Sequence, residues 1–376
     1  VLIEQGEMLE QTLTNASGRY DFSTNNEGLF TLSIRISGYG PATEQNVRAV
    51  ADKVTVTDFS LTPVAYDFEE ITVMGAAKDA DPFAAVTATR ISREDIRTAP
   101  GTGGDIFRGL DSLPGVVATG EFSNFTVRGR GPRDNLILVD GIPFDKVVHF
   151  DQTLGEDEDI GGGGRFAIFA PNIIGGASFE PSGWSAAYSG KNGSLLKLDI
   201  AQGNPSTPTI SGRLDIAGGE ITYDGPSYVA SNTSLLISAR YFDFGNVFKL
   251  IGQDDIGDPE VSDLIFKSVT EVSQDHTIEI LALYSPEDFV RDTENVLKSP
   301  NFENSDLLSS EQESILIGGT STWLVGNSGQ WNNKLYLRDS DKLSTQGETF
   351  PDLSGPELTA TTIDVRENVL SIQENE

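Results

Sequence analysis

From Gly193 onward the chain is built of runs in which every other residue is apolar, and this period of two constrains the fold more than any other feature. Leu196, Leu198 and Ile200 alternate with Lys197 and Asp199; Ile210, Leu214 and Ile216 alternate with Ser211, Arg213 and Asp215. Leu235, Ile237, Ala239 and Tyr241 stand opposite Ser238 and Arg240, and Ile278, Ile280, Ala282 and Tyr284 opposite Thr277 and Glu279. Residues 314–325, 331–338 and 361–372 continue the pattern. A helix repeats its apolar face every three to four residues, so these runs predict strands, of about 8 to 12 residues, with one apolar and one polar face. Two architectures satisfy them: a barrel in a bacterial outer membrane, or a soluble antiparallel sandwich with one wet face. Acidic stretches at 254–260 and 287–306 read as long loops and 272–275 as a tight turn. Long connections on one side and short ones on the other are the rhythm of a barrel.

Charge and composition remove several functions. The 376 residues carry 57 acidic and 26 basic side chains, a formal charge of −31, which excludes a nucleic-acid binder that neutralises phosphates. There is no cysteine, so disulfides, thiolate zinc sites, iron–sulfur clusters and thiol nucleophiles are excluded together. The two histidines, His149 and His276, fit no metalloprotease spacing and read as incidental. Gly190-Lys191 lacks the upstream glycine of a phosphate loop, and the Gly101 and Gly129 pairs fail the dinucleotide fingerprint. The acidic run from Glu156 to Asp159 lacks calcium-loop spacing and reads as a solvated loop. No catalytic residue, metal site or cofactor is expected. Residues 166–179 are too short and too interrupted to span a membrane as a helix, and 314–333 are too polar. The chain opens at Val1 within a strand-like segment, without a signal pattern, and reads as lacking its native beginning.

The first 65 residues read as short strands at 18–22, 29–36 and 54–61, separated by Gly- and Asn-rich turns. Their order resembles the carboxypeptidase-regulatory-like β-sandwich, here truncated at its start. From 66 to 192 the rhythm becomes mixed. Ser92 to Asp95 forms a capping box opening a helix that stops at Pro100, and Thr102 to Asp105 repeats the device. Ile106, Phe107, Leu110 and Leu113 make an apolar helical stripe ended by Pro114-Gly115, and strands follow at 125–128 and 136–139.

The middle third carries a more specific resemblance. Glu69, Glu70, Ile71, Thr72, Val73, Met74 and Gly75; then Leu113, Pro114, Gly115 and Val116; then Arg128 and Gly129 after Val127; then Asp140, Gly141 and Pro143 after Leu138 stand in the order and spacing of the plug domain of TonB-dependent outer-membrane receptors. The chain departs from that family at Tyr188-Ser-Gly190, where a Tyr-Gly pair is common, and 145–165 are not matched. The resemblance implies a mainly β protein with an α/β plug. It would comprise an N-terminal sandwich at 1–65, the plug at 66–192, and an incomplete antiparallel transmembrane barrel at 193–376 that is truncated at its end. It implies a non-enzymatic receptor in the outer membrane of a Gram-negative-type envelope, surrounded by outer-membrane lipid. Import would be energised by TonB and its inner-membrane complex through Glu69 to Gly75, whose β-branched character suits strand addition. The ligand would be a ferric chelate, cobalamin, a glycan or a peptide. Arg128, Arg130 and Arg133, with Asp134 and Asp140 nearby, would lock plug to wall by ion pairs. Tyr241, Phe242, Phe244, Tyr284 and Trp331 read as interface-belt aromatics or as sandwich core. The competing reading is a secreted or surface β-sandwich binding protein without transport. Acidity spares residues 90–133 and gathers in 251–300, which predicts that the latter lie in outer loops and not in a core.

Overall fold

The computed structural model describes residues 1–5, 8–15, 17–36, 39, 42–50, 53–59, 61, 88–98, 106–110, 116–118, 125–150, 166–184, 188–298, 306–325, 329–349 and 356–375. The segment Glu69 to Gly75, the residues Leu113, Pro114 and Gly115, and the acidic run at 156–159 lie outside the described residues.

At the start, β1 (Leu2–Gln5), β2 (Met8–Gln11), β3 (Gly28–Ile34) and β4 (Ala42–Ala49) form one antiparallel sheet in the order β2-β1-β3-β4. Residues 18–22 and 54–59 are not strands, contrary to the sequence expectation. Asn15 explains the first: its Oδ1 accepts from the backbone N–H groups of Ser17 and Arg19 at 3.0 and 2.9 Å, and Gly18 turns with φ +76°. The chain is thereby laid across the sheet. Tyr20, Phe22 and Phe59 cover buried Ile3, Phe30 and Leu32, and the Tyr20 hydroxyl donates to the Thr57 carbonyl at 2.6 Å.

The plug follows: β5 (Thr89–Ser92), α1 (Arg93–Thr98), α2 (Ile106–Leu110), β6 (Val116–Ala118), β7 (Phe125–Val127), β8 (Leu136–Val139), β9 (Ile142–Pro143), β10 (Val148–His149), β11 (Phe166–Ala167), β12 (Ile174–Glu180) and β13 (Leu195–Ile200). The capping box is formed as the sequence predicts. The Asp95 N–H donates to Ser92 Oγ at 3.2 Å and the Ser92 N–H to Asp95 Oδ2 at 3.1 Å. The main plug sheet has the order β5-β12-β13-β8-β9, with β13 parallel to β8. Leu195–Ile200, just past the expected end of the plug at 192, pairs with this sheet and not with the wall. Its burial is the reason, since Leu195, Leu196, Leu198 and Ile200 are all buried, which a wall strand with one wet face does not show.

The remainder is an eight-stranded antiparallel sheet of sequential neighbours: β14 (Thr209–Leu214), β15 (Gly218–Pro226), β16 (Thr233–Asp243), β17 (Asp258–Ser273), β18 (His276–Arg291), β19 (Asp306–Val325), β20 (Gly329–Thr349) and β21 (Pro356–Asn375). Among the described residues β14 and β21 pair on one side only, so the sheet is open. A tight turn at 274–275 joins β17 to β18, whereas the longer connection at 244–257 carries α3 (Phe244–Ile251), and α4 (Thr293–Lys298) follows β18. Two sequence expectations are corrected. Strands from β17 onward have 16 to 21 residues, and the expected loops at 254–260 and 287–306 are partly strand, because Pro259, Val261, Glu287 and Phe289 continue the buried phase beyond the predicted ends.

The polarity of this sheet is inverted relative to a soluble sandwich. Leu264, Ile280, Ile317, Leu335 and Leu337 are exposed on its outer face, at 41 to 52%, whereas Asp263, Lys267, Ser285, Glu287, Gln312 and Ser314 are buried on its inner face. Trp323 and Trp331 are direct cross-strand neighbours at one margin of the outer apolar band. At the other, the hydroxyls of Tyr241 and Tyr284 donate to Glu260 and Glu313 at 3.0 and 3.1 Å. Between Glu313 and Trp323 the ten-residue rise of β19 is about 34 Å along the strand and about 25 Å across a bilayer at a ~40° tilt, the height of an outer-membrane apolar band. Of the five belt candidates, Tyr241, Tyr284 and Trp331 sit at these margins. Phe242 and Phe244 instead pack with Phe150, Phe166 and Phe289 against the plug. Among the described residues no helix is long and apolar enough to cross a membrane.

Candidate functional site at the plug-wall contact

The inner face of the wall and the plug share one apolar core. Ile137, Val139, Ile142, Phe144 and Leu198 of the plug cluster with Leu236, Ile265, Leu281, Leu283, Leu316 and Tyr336 of the wall. Gly318 permits the closest approach, since a β-carbon there would collide with Ile142 Cδ1.

Two of the sequence motifs are tight turns. Arg128 and Gly129 have φ of +51° and +79°, between reciprocal Val127 and Arg130 backbone bonds of 3.1 and 2.9 Å. Asp140 and Gly141 have φ of +48° and +71° and join β8 to β9. Positive φ at both central positions is the mark of the hairpin turn that favours an Asx- or X-Gly pair. The first turn carries Arg128 away from the wall, where its Nη1 donates to Ser182 Oγ at 2.7 Å. Arg130 is exposed. Arg133 and Asp134 offer backbone carbonyls within the plug, to Lys191 Nζ at 2.8 Å and to the Gly193 N–H at 2.7 Å. The ion pairs described between plug and wall run through Asp140, one of the residues named for that role from the sequence, and through Lys146 and His149, which were not.

The Asp140 turn enters a polar cradle. Asp140 Oδ2 lies 3.0 Å from Lys267 Nζ, Oδ1 accepts the Ile200 N–H at 2.9 Å, and the Asp140 carbonyl accepts Lys334 Nζ at 2.6 Å. Lys267 also donates to the Ile200 carbonyl at 2.8 Å and pairs with Glu279 at 3.4 Å. Arg338 Nη1 reaches the Pro143 carbonyl at 3.3 Å. Beside this cradle, crowding by surrounding protein and the nearby Asp140 charge push the Asp199 carboxyl up to about 6, although it keeps contact with solvent.

A second cluster lies nearer the long connections. His149 is fully buried, with Nδ1 2.9 Å from Glu287 Oε2 and Nε2 3.0 Å from Asp263 Oδ1. Lys146 Nζ donates to Glu287 and Gln312, each at 3.0 Å, and the Phe150 N–H donates to Glu287 at 3.1 Å. Asp263 also accepts from Ser285 at 2.7 Å and from Arg240, whose guanidinium further reaches the Ala167 and Ile168 carbonyls. Burial opposes the charged imidazole, but Asp263 and Glu287 outweigh it and hold His149 above its ordinary value. Two sequence readings are thus corrected. His149 is not incidental, and two of the acids in 251–300 are buried at the core contact. The available signal was phase: Asp263, Lys267 and Glu287 occupy the buried parity of their strands. Among the described residues no His, Asp and Glu group is arranged to hold a metal ion.

A folded α/β domain seated against the polar inner face of an outward-apolar antiparallel wall defines a plugged outer-membrane barrel protein. Residues 82–192 match the TonB-dependent receptor plug domain family. The fold is shared with a point mutant of the ferric enterobactin receptor of Pseudomonas aeruginosa, at 14% identity and a TM-score of 0.52, over 77% of this chain and 46% of that one. The outer membrane transporter YddB of Escherichia coli aligns at 12% identity and a TM-score of 0.48, over 74% and 41%. No curated protein matches the sequence. The chain spans less than half the length of either solved structure. Its plug domain, residues 82–192, is of the TonB-dependent receptor family, and the chain as a whole has the fold of an outer-membrane plug and barrel wall.

Proposed function

We propose that the chain forms part of an importer that captures an extracellular ligand and admits it when TonB, energised from the inner membrane, acts on Glu69 to Gly75. The observation that carries this reading is the polar plug-wall contact. Apolar surface alone would fuse plug to wall, whereas a contact laced with ion pairs can part and be wetted. The family match supports it, and the alternative of a sandwich binding protein leaves the exposed apolar band unexplained. Siderophores, as in the ferric enterobactin receptor, are one ligand class consistent with the fold; cobalamin, glycans and peptides are the others. The first 65 residues are assigned to a carboxypeptidase-regulatory-like domain on the short-turn side, where Ser17 and Arg19 reach Gln274 and Glu271.

The test deletes residues 69–75 from the full-length gene and measures capture by the TonB carboxy-terminal domain together with uptake of ferric chelates, cobalamin, oligosaccharides and peptides. Capture and uptake are expected to fall together. Unchanged capture overturns the coupling assignment.

A further inference from the structure

We propose that His149 is a proton-dependent pin. The strand bearing it is held to the wall only while the site between Asp263 and Glu287 contains a proton shared with the imidazole, and withdrawal of the plug releases that proton to water.

The geometry requires the proton. Both ring nitrogens face carboxylate oxygens, at 2.9 and 3.0 Å, and an ionised carboxylate only accepts. A neutral ring would aim one lone pair at a carboxylate with no water to intervene, since His149 has no exposed surface. Whether the proton is drawn on the ring or on a carboxyl, the site holds one more than the separated groups would at alkaline pH. Among the described residues, β16 contributes Arg240, β17 Asp263 and β18 Glu287; β19 contributes neutral Gln312, with Lys342 opposite it in register on β20. From the plug, Lys146 faces Glu287, and β11 brings the uncharged Phe166 and Ala167.

Two wall carboxylates already balanced by Arg240 and Lys146 would bind a third cation weakly in water; in a dry contact each also needs its full set of donors. His149 supplies one to each, bridging adjacent strands from a single plug residue. A group held above its ordinary value strengthens the state that holds it below about pH 6.5, and the gain is lost as pH rises through the raised value. The pin is therefore closed at acidic pH and opens as pH rises through that raised value, or when the ring is pulled from its partners. This deepens the import reading, which supplies the reason for the plug to move, but the test uses neither TonB nor a transported ligand.

The full-length receptor is reconstituted in liposomes loaded with calcein, and leak is measured from pH 6 to 9.5. In the wild type, leak is expected to be low at pH 6 and to rise as pH climbs through the raised value of the ring. In His149→Gln it is expected to be high at every pH. Identical pH curves for the two proteins overturn the proposal. So does a His149 signal that titrates at or below about 6.5 in ¹⁵N-histidine spectra of the folded wild type. That spectrum decides the matter even if His149→Gln fails to give a folded band on an unheated gel. Loss of uptake on deleting 69–75 and loss of pH-dependent leak are separate results, so either reading can fail alone.

Discussion

At the scale of residues, positive φ decides which glycines matter. Gly141 sits at φ +71° with Lys334 Nζ against the space a side chain would fill. Gly141→Ala is expected to cost about 1–2 kcal/mol from left-handed strain, and more if Lys334 is driven off the Asp140 carbonyl. The check is a urea titration of the reconstituted receptor. Gly131, at an ordinary φ and in open space, should tolerate alanine. Asp199 provides a pH prediction. Its folded value, about 6, stands above the unfolded one, so its ionisation opposes folding. The wild type should lose stability as pH rises from about 4 through 6 and Asp199→Asn should not, with a difference on the order of 1 kcal/mol once its solvent contact is allowed for. A flat difference across that range would show that the carboxyl is not crowded.

At the scale of elements, local chemistry was legible and distant pairing was not. Ser92 and Asp95 specify their helix within four residues, and Asp140-Gly141 specifies its turn within two, because each device satisfies its own backbone groups. The pairing of Leu195–Ile200 was not legible because a period of two is the same in either sheet; its parallel partner, β8, lies about sixty residues earlier. His149 lies 114 and 138 residues from the carboxylates that give it meaning, and nothing beside it in sequence announces them. The outer band of the wall makes its own prediction. Ile280→Arg, near the middle of that band, is expected to cost about 2–4 kcal/mol in a bilayer. The corresponding change at Val272, beside a tight turn and beyond the band, should cost about 1 kcal/mol or less. Equal costs at the two positions, measured by folding into liposomes, would remove the membrane assignment of this face.

At the scale of the whole molecule, the sequence supported the plug-and-barrel plan but inverted part of its charge map. Counting placed the acids of 251–300 outside, and Glu260 and Asp288 do line the wall beside Tyr241, together with Glu311 and Glu313 of β19. Asp263 and Glu287 belong to the other face, because a count over fifty residues has no phase whereas a strand does. The two polar clusters should act almost independently. The cradle around Lys267 and the cluster around His149 are built on different side chains, Asp140 and Lys334 in one and Asp263 and Glu287 in the other, so Lys267→Met combined with His149→Gln is expected to destabilise plug seating by nearly the sum of the single effects. Protease protection of the plug in the two single variants and the double variant reads this directly.

The position of β5 has a mechanical consequence. It is one of the two edge strands of the plug sheet and is joined to β12 by four residue pairs, whereas β8 lies between β9 and parallel β13 in the interior. A force entering from the chain before Thr89 therefore loads a short ladder at the edge of the sheet first. The molecule is built to come apart like a seam opened from its loose end, with the stitches at Asp140 and His149 the last to carry tension.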